Sequence, residues 1–138
     1  KNLRTNCIMA SINTRLTLKT KNVFTNTLNL RHDKTFAIDA DAERAVKTIK
    51  VASDAPYTLL DEDDYGGADK QVFVFLRNRS VTAAKYIYIM IGAQLIMRLS
   101  PGEYCMFPWW TQDTDDFKVY SNDASAGVNL EYFLGKMQ

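Results

Sequence analysis

Residues 71–110 leave this chain little choice of fold class. Four apolar runs, 71–77, 85–91, 94–99 and 104–110, are rich in β-branched and aromatic residues. Each is bounded by turn residues, the pattern of strands in a sheet buried on at least one face. They read as a core meander. In Ile91-Gly92-Ala93-Gln94, glycine falls where a two-residue type II′ turn needs positive φ. A hairpin closed there pairs Met90 with Leu95, Ile89 with Ile96, Tyr88 with Met97 and Ile87 with Arg98. One face then carries Tyr88, Met90, Leu95 and Met97, the other Ile87, Ile89, Ile96 and the stem of Arg98. Ser100-Pro101-Gly102-Glu103 has proline and glycine where a type II turn wants them, and turns the chain again.

The remaining strands are shorter and alternate with period two. They are expected at residues 15–19, 23–30 (Leu28 and Leu30 on one face), 34–39 and 56–60, with others at 117–120 and 128–134. In the last, Val128, Leu130, Tyr132 and Leu134 point inward, Asn129 and Glu131 outward. Residues 39–51 fit an Asp-capped helix as well as a strand, and are read as a loop or helical turn through Glu43, then a strand to Val51. Eight to ten strands without a long amphipathic helix describe an all-β, single-domain β-sandwich of jelly-roll type over residues 15–138. Residues 1–14, polar and basic around the apolar patch 7–10, read as an extended N-terminal arm.

A chain of 138 residues can bury a sizeable core without staples. Cys7 and Cys105 are expected to be reduced, since both sit on apolar runs. No run approaches the ~18 apolar residues of a membrane-spanning helix, and 7–10 is too short for a signal segment, so a soluble protein is expected. The chain starts at Lys1 without Met, which leaves room for a preceding leader or arm. Net charge is +1, but residues 1–50 hold ten Lys/Arg against four Asp/Glu and residues 51–138 seven against twelve. Kept apart in space, the halves would let one molecule's acidic loops meet another's basic arm. Interleaving of distant strands is expected to average the asymmetry out, and no specific nucleic-acid site is read from it.

Catalytic patterns are absent. His32, the only histidine, lies beside Asp33 in an expected hairpin loop with no Ser or Cys at relay spacing. One His and two distant Cys lack zinc-ligand spacing. Gly66-Gly67 lacks the lysine and helix start of a phosphate loop. The acidic run 61–69 places Gly66 at the sixth position of a calcium loop, but Tyr65 and Val72 occupy the fifth and twelfth, so a solvated loop is expected there. A second acidic run, 113–116, would approach the first only if both lay at one end of the sandwich. The chain is therefore read as a non-enzyme without metal or cofactor. Phe107-Pro108-Trp109-Trp110 is the remaining candidate, either a packed corner broken by Pro108 and anchoring a protein partner, or a sugar-stacking rim.

The order Val74-Phe-Leu-Arg-Asn-Arg-Ser80, Tyr86-Ile-Tyr-Ile, Met97-Arg-Leu-Ser-Pro-Gly-Glu-Tyr104 with Phe107-Pro-Trp109, and Leu130-Glu-Tyr-Phe-Leu134 resembles small all-β structural proteins of tailed bacteriophage virions. The resemblance spans residues 71–134 and rests on turn and strand motifs. It implies a capsid decoration or cement protein, located in the virion, that joins neighbouring subunits. Its expected partners are the major capsid protein, further copies of itself, or both, as a homo-oligomer on the particle. Lys1, Arg4, Ile8 and Met9 of the arm, with Tyr104, Phe107, Trp109 and Trp110, are the expected contact residues. A carbohydrate- or receptor-binding module and a neck or tail adaptor are the alternatives.

Overall fold

A computed structural model describes residues 10–21, 28–51, 56–61, 70–110 and 116–137. Nine strands and no helix occur among them: β1 (Ala10–Lys19), β2 (Asn29–Ile49), β3 (Tyr57–Leu60), β4 (Gln71–Asn78), β5 (Ile87–Ile91), β6 (Gln94–Leu99), β7 (Tyr104–Trp110), β8 (Phe117–Ser121) and β9 (Val128–Met137). One sheet runs β1-β2-β9-β4-β7 and the other β3-β8-β5-β6, with antiparallel neighbours. The pairs nest. β5 pairs with β6, β4 with β7, β3 with β8 and β2 with β9, so the chain is one long hairpin rolled up with successive pairs placed alternately in the two sheets. That is a jelly roll, a β-sandwich as expected, with β1 added at one edge.

The meander expected over residues 71–110 is not formed. β5 and β6 make a hairpin in the four-stranded sheet, whereas β4 and β7 pair with each other in the five-stranded one. Splitting the runs lets the apolar faces of both pairs meet across one core, where a single meander would leave a face to water. Both turns form as expected, with φ of 57° at Gly92 and 79° at Gly102, and Glu103 N–H donating to Ser100 O at 3.0 Å. The β5–β6 register starts as expected at Met90↔Leu95 and then slips at a bulge, giving Ile89↔Met97, Tyr88↔Arg98 and Ile87↔Leu99. The slip moves Arg98 to the outer face, with its guanidinium 4.2 Å from the Tyr86 ring centre, and sends Leu99 into the core.

Between the sheets lie Val72, Val74 and Leu76 of β4, Leu130 and Leu134 of β9, Ile87 and Ile89 of β5, and Phe117 and Val119 of β8, all buried. Burial at about 25 cal/mol per Å² makes this layer the main source of stability. The amide of Asn78 is fully enclosed beside it. Asn78 donates from Nδ2 to Lys85 O (2.8 Å) and Leu99 O (3.0 Å), and its Oδ1 accepts from Ser80 N–H (2.9 Å). Its backbone donates to Glu103 O and accepts from Gly102 N–H. Three chain segments, 78–80, 85 and 99–103, thus meet at Asn78, where the chain leaves and re-enters the five-stranded sheet.

Residues 39–49, expected to begin as a loop or helical turn, belong wholly to β2, and a register shift between Ile38 and Ala42 bends the strand. Pairing with β9 across residues 42–49 outweighs the local helix composition. Ile38 pairs with both Ala10 and Met137, and residues 29–37 of β2 pair with β1 alone, ending at Lys19↔Asn29, so His32 sits within a strand opposite Leu16 instead of in a loop. Residues 10–14, expected in the arm, are the first half of β1; residues 1–9 lie outside the described residues. This hairpin lies against the outer face of the five-stranded sheet. Phe36 meets Phe73 at 5.2 Å, Phe73 meets Phe133 at 6.3 Å, and Ile38 is buried. Gly135 permits the approach, because a Cβ there would stand 3.0 Å from Phe133 and 3.5 Å from Ile12.

The topology averages out part of the charge asymmetry, since Arg44 meets Glu131 and Asp39 meets Lys136 across β2 and β9, but not the part carried by the hairpin. Residues 10–38 carry Arg15, Lys19, Lys21, Arg31 and Lys34 against Asp33 alone, and among the described residues β1 has no strand neighbour but β2. The basic residues of the hairpin therefore stay on the hairpin.

Candidate functional site

The expected contact residues divide according to strand parity. β7 is the outer edge of the five-stranded sheet and pairs Val72↔Trp109, Val74↔Phe107, Phe75↔Met106 and Gln71↔Trp110. Because Val72 and Val74 face the core, Trp109 and Phe107 do too. Trp109 is buried and meets Phe117 edge-on at 5.5 Å; Phe107 lies 6.0 Å from the same ring. Neither offers a free ring to a partner. Trp110 and Tyr104 point the other way and are 55% and 60% exposed. Pro108 does not break the strand, because an edge strand has ladder positions whose N–H would face outward, and proline is tolerated there. Lys1, Arg4, Ile8 and Met9 lie outside the described residues.

Tyr104 and Trp110 border a larger apolar surface. Phe75, Met106 and Phe133 stand on the outer face, with Phe75 6.3 Å from Tyr104. Where the hairpin crosses above them it leaves an apolar cleft of about 480 Å³ between Ile12 and Ile38 on one side and Phe73, Phe75, Met106 and Phe133 on the other. Opposite charges tie the hairpin's own rungs. Asp33 accepts from Arg15 Nε at 2.9 Å and Arg31 Nη2 at 3.0 Å, and these guanidiniums hold its carboxyl below the usual range.

Sequence reasoning placed Leu28 and Leu30 on one face but missed that Leu16 and Leu18 join it and that its outer part is exposed. Leu16 and Leu18 on β1 share a face with Leu30 on β2, in the register Leu16↔His32 and Leu18↔Leu30. Ile12 and Phe36, further along that face, rest on the sheet. Toward the tip, Leu18 and Leu30 are exposed at 48% and 43%, and Leu28 is exposed beside them. The signal was present as alternation, but alternation tells which residues share a face and not whether anything covers it.

No protein-family model and no curated protein matches the chain.

Several side chains have structural roles. Lys85 Nζ donates to Asp123 at 2.6 Å, and Asp123 also accepts from Ser125 and Ala126 N–H, so its carboxyl is held far below the usual range, chiefly by Lys85. Burial pushes the Cys105 thiol up to about 11, which keeps it from acting as a nucleophile at neutral pH. Among the described residues, no three His, Cys, Asp or Glu side chains gather as metal ligands would. The acidic runs 61–69 and 113–116 lie almost entirely outside the described residues, yet their anchors are fixed. The pairs Leu60↔Phe117 and Gln71↔Trp110 place the strand ends that hold both runs at one end of the sandwich.

Proposed function

We propose that this chain is a non-enzymatic structural protein of a tailed-phage virion, a decoration or cement protein that binds neighbouring capsid subunits. The observation that carries the reading is apolar surface on strands that nothing among the described residues covers: the exposed leucines of the β1–β2 hairpin, and exposed Tyr104 and Trp110 on β7. Such surface costs solubility unless a partner covers it. The jelly roll is a fold that capsid and lectin domains both use, so it is compatible with the reading without selecting it. Repetition on a symmetric shell would turn a modest contact into tight attachment.

Binding of the purified chain to particles lacking it, measured by co-sedimentation, tests this. Retention by wild type and loss with Tyr104→Ser/Trp110→Ser is expected. No binding by wild type would reject the shell role. Removal of residues 1–9 tests the arm without touching β1, whereas removal of 1–14 would take half of that strand.

Exposed Trp110 favours one second reading, a carbohydrate- or receptor-binding module, since a ring at a sandwich rim can stack on a sugar. On that reading Trp110→Ala abolishes glycan binding and leaves particle attachment unchanged. Trp109 cannot contribute directly, being in the core.

A further inference from the structure

We propose that the apolar cleft beneath the hairpin is a strand-addition site, where the free edge of β1 pairs with an extended acidic segment of another protein. This deepens the reading above by naming the kind of segment a neighbouring subunit would insert, and rests on it for that setting alone. One wall of the cleft is made by Ser11, Ile12, Asn13, Thr14 and Arg15, consecutive residues of one strand. Successive side chains of a strand point to opposite faces, so a face contributes only every second residue. A consecutive run means that the cleft follows the strand's edge. Among the described residues that edge is unpaired, since β2 takes one side of β1 and no strand takes the other. Alternate N–H and C=O groups of residues 11–15 therefore turn toward the cleft without a ladder partner.

The floor suits a strand, and charge selects among strands. Phe73 and Phe75 stand two residues apart on β4, and Phe75 lies opposite Met106 of β7 and Phe133 of β9. Alternate side chains of an added segment would rest on this apolar row while its backbone pairs with β1. Arg15 and Arg31 share one carboxylate, Asp33, while Lys34, opposite Thr14, makes no ion pair among the described residues. Arg77 continues the Phe73–Phe75 row and lies opposite Glu131, which Arg44 also approaches at 3.7 Å. Asp39, beyond Ile38, is offset by Lys136. Five cations against the two carboxylates Asp33 and Glu131 favour an occupant with carboxylates on its solvent face. Residues 1–9 hold Lys1 and Arg4 and no carboxylate, and β1 holds Arg15 and Lys19 and none either. Neither this chain's own first residues nor the β1 edge of a second copy answers that field.

The test uses the full chain and two synthetic decapeptide mixtures. In the first, residues drawn from Val, Ile, Leu and Phe alternate with residues drawn from Asp, Glu, Ser and Thr; in the second, Lys and Arg replace Asp and Glu. Fluorescence anisotropy should show binding of the acidic mixture that weakens as salt rises, and binding of the basic mixture about tenfold or more weaker. Amide hydrogen exchange at residues 11–15 should slow when the acidic mixture is bound, because the edge groups gain partners. Met106→Glu, which sets a carboxylate on the floor, should weaken binding about tenfold or more. Arg15→Gln, which removes a cation from the wall, should weaken it about threefold. Thermal melting checks that both variants fold, and the Arg15 side chain is 66% exposed, so its replacement stays informative where Met106→Glu does not fold.

Failure of both mixtures to bind would overturn the proposal. So would equal affinity for the two, or binding that leaves exchange at residues 11–15 unchanged. Dodecanoate is titrated alongside, and its binding in the cleft with both mixtures inert would make this a site for alkyl chains and reject the peptide. The experiment contains no particles, so its outcome is separate from the particle-binding test. Peptide binding without particle binding would keep this inference and sink the virion reading, and the reverse result would do the opposite.

Discussion

Replacing Asn78 with alanine should be among the most damaging single changes away from the large apolar residues, because it orphans three backbone groups at once. Leu99 O is buried and the contacts to Lys85 O and Ser80 N–H are partly so. Taking about 2 kcal/mol for the buried carbonyl and about 1 kcal/mol for each of the others gives a loss of about 4 kcal/mol. Against a domain stability of about 5–15 kcal/mol, that is a large share. Urea denaturation followed by tryptophan fluorescence would show the midpoint fall with an unchanged m-value. Asn78→Asp sharpens the test. The carboxylate still accepts from Ser80 but turns a second oxygen toward two carbonyls, so it should destabilise at least as much at neutral pH. Its folded-state pKa would be raised, so the deficit should shrink as pH falls. A loss under about 1 kcal/mol for alanine, or tolerance of aspartate at neutral pH, would refute the view that this amide organises the junction.

Other expectations follow from single side chains. Trp109→Ala should cost about 3–5 kcal/mol by opening a cavity beside Phe117, while Trp110→Ala stays within about 1 kcal/mol; equal costs in urea melts would mean the parity assigned to β7 is wrong. Asp123 has a folded value below its ordinary 3.8, so the stability it contributes is present above that value and is lost as pH falls through and below it. Lys85→Met should flatten that acid limb in urea midpoints taken from about pH 6 to about pH 2, and an unchanged limb would exclude the pair as its source. Cys105, with its thiol pushed up to about 11, should react with iodoacetamide only slowly in the folded protein at neutral pH and rapidly in denaturant. Equal rates would mean the thiol is not held as described.

Features confined to a few neighbouring residues were legible in the sequence. Gly92 and Gly102 announce their turns because positive φ is a local demand. The alternation of Val128, Leu130, Tyr132 and Leu134 names β9 and its inner face because period two is a local pattern. Partnership was not legible. β4 and β7 are separated in the chain by the whole β5–β6 hairpin, and nothing within either run states that they pair. From that one unknown the error over Trp109 follows: whether it or Trp110 faces inward depends on lying opposite Val72. The bulge at Ile96 was hidden for a related reason, since the gain from returning Leu99 to the core exists only once the opposite sheet is in place. Residues 39–49 show the converse, with a local helical composition overridden by a long ladder to β9. The hairpin leucines were visible as a face, and what they lacked was a cover, which only the assembled fold could reveal.

The central claim is that this chain is a repeated structural component of a virion, and counting copies tests it most directly. Quantitative mass spectrometry of particles purified from the source would compare this chain with the major capsid protein. The account predicts copies in a fixed, high ratio to the capsid protein, repeated over the shell. A small fixed number would move the chain to a neck or tail, and its absence from particles would contradict the account.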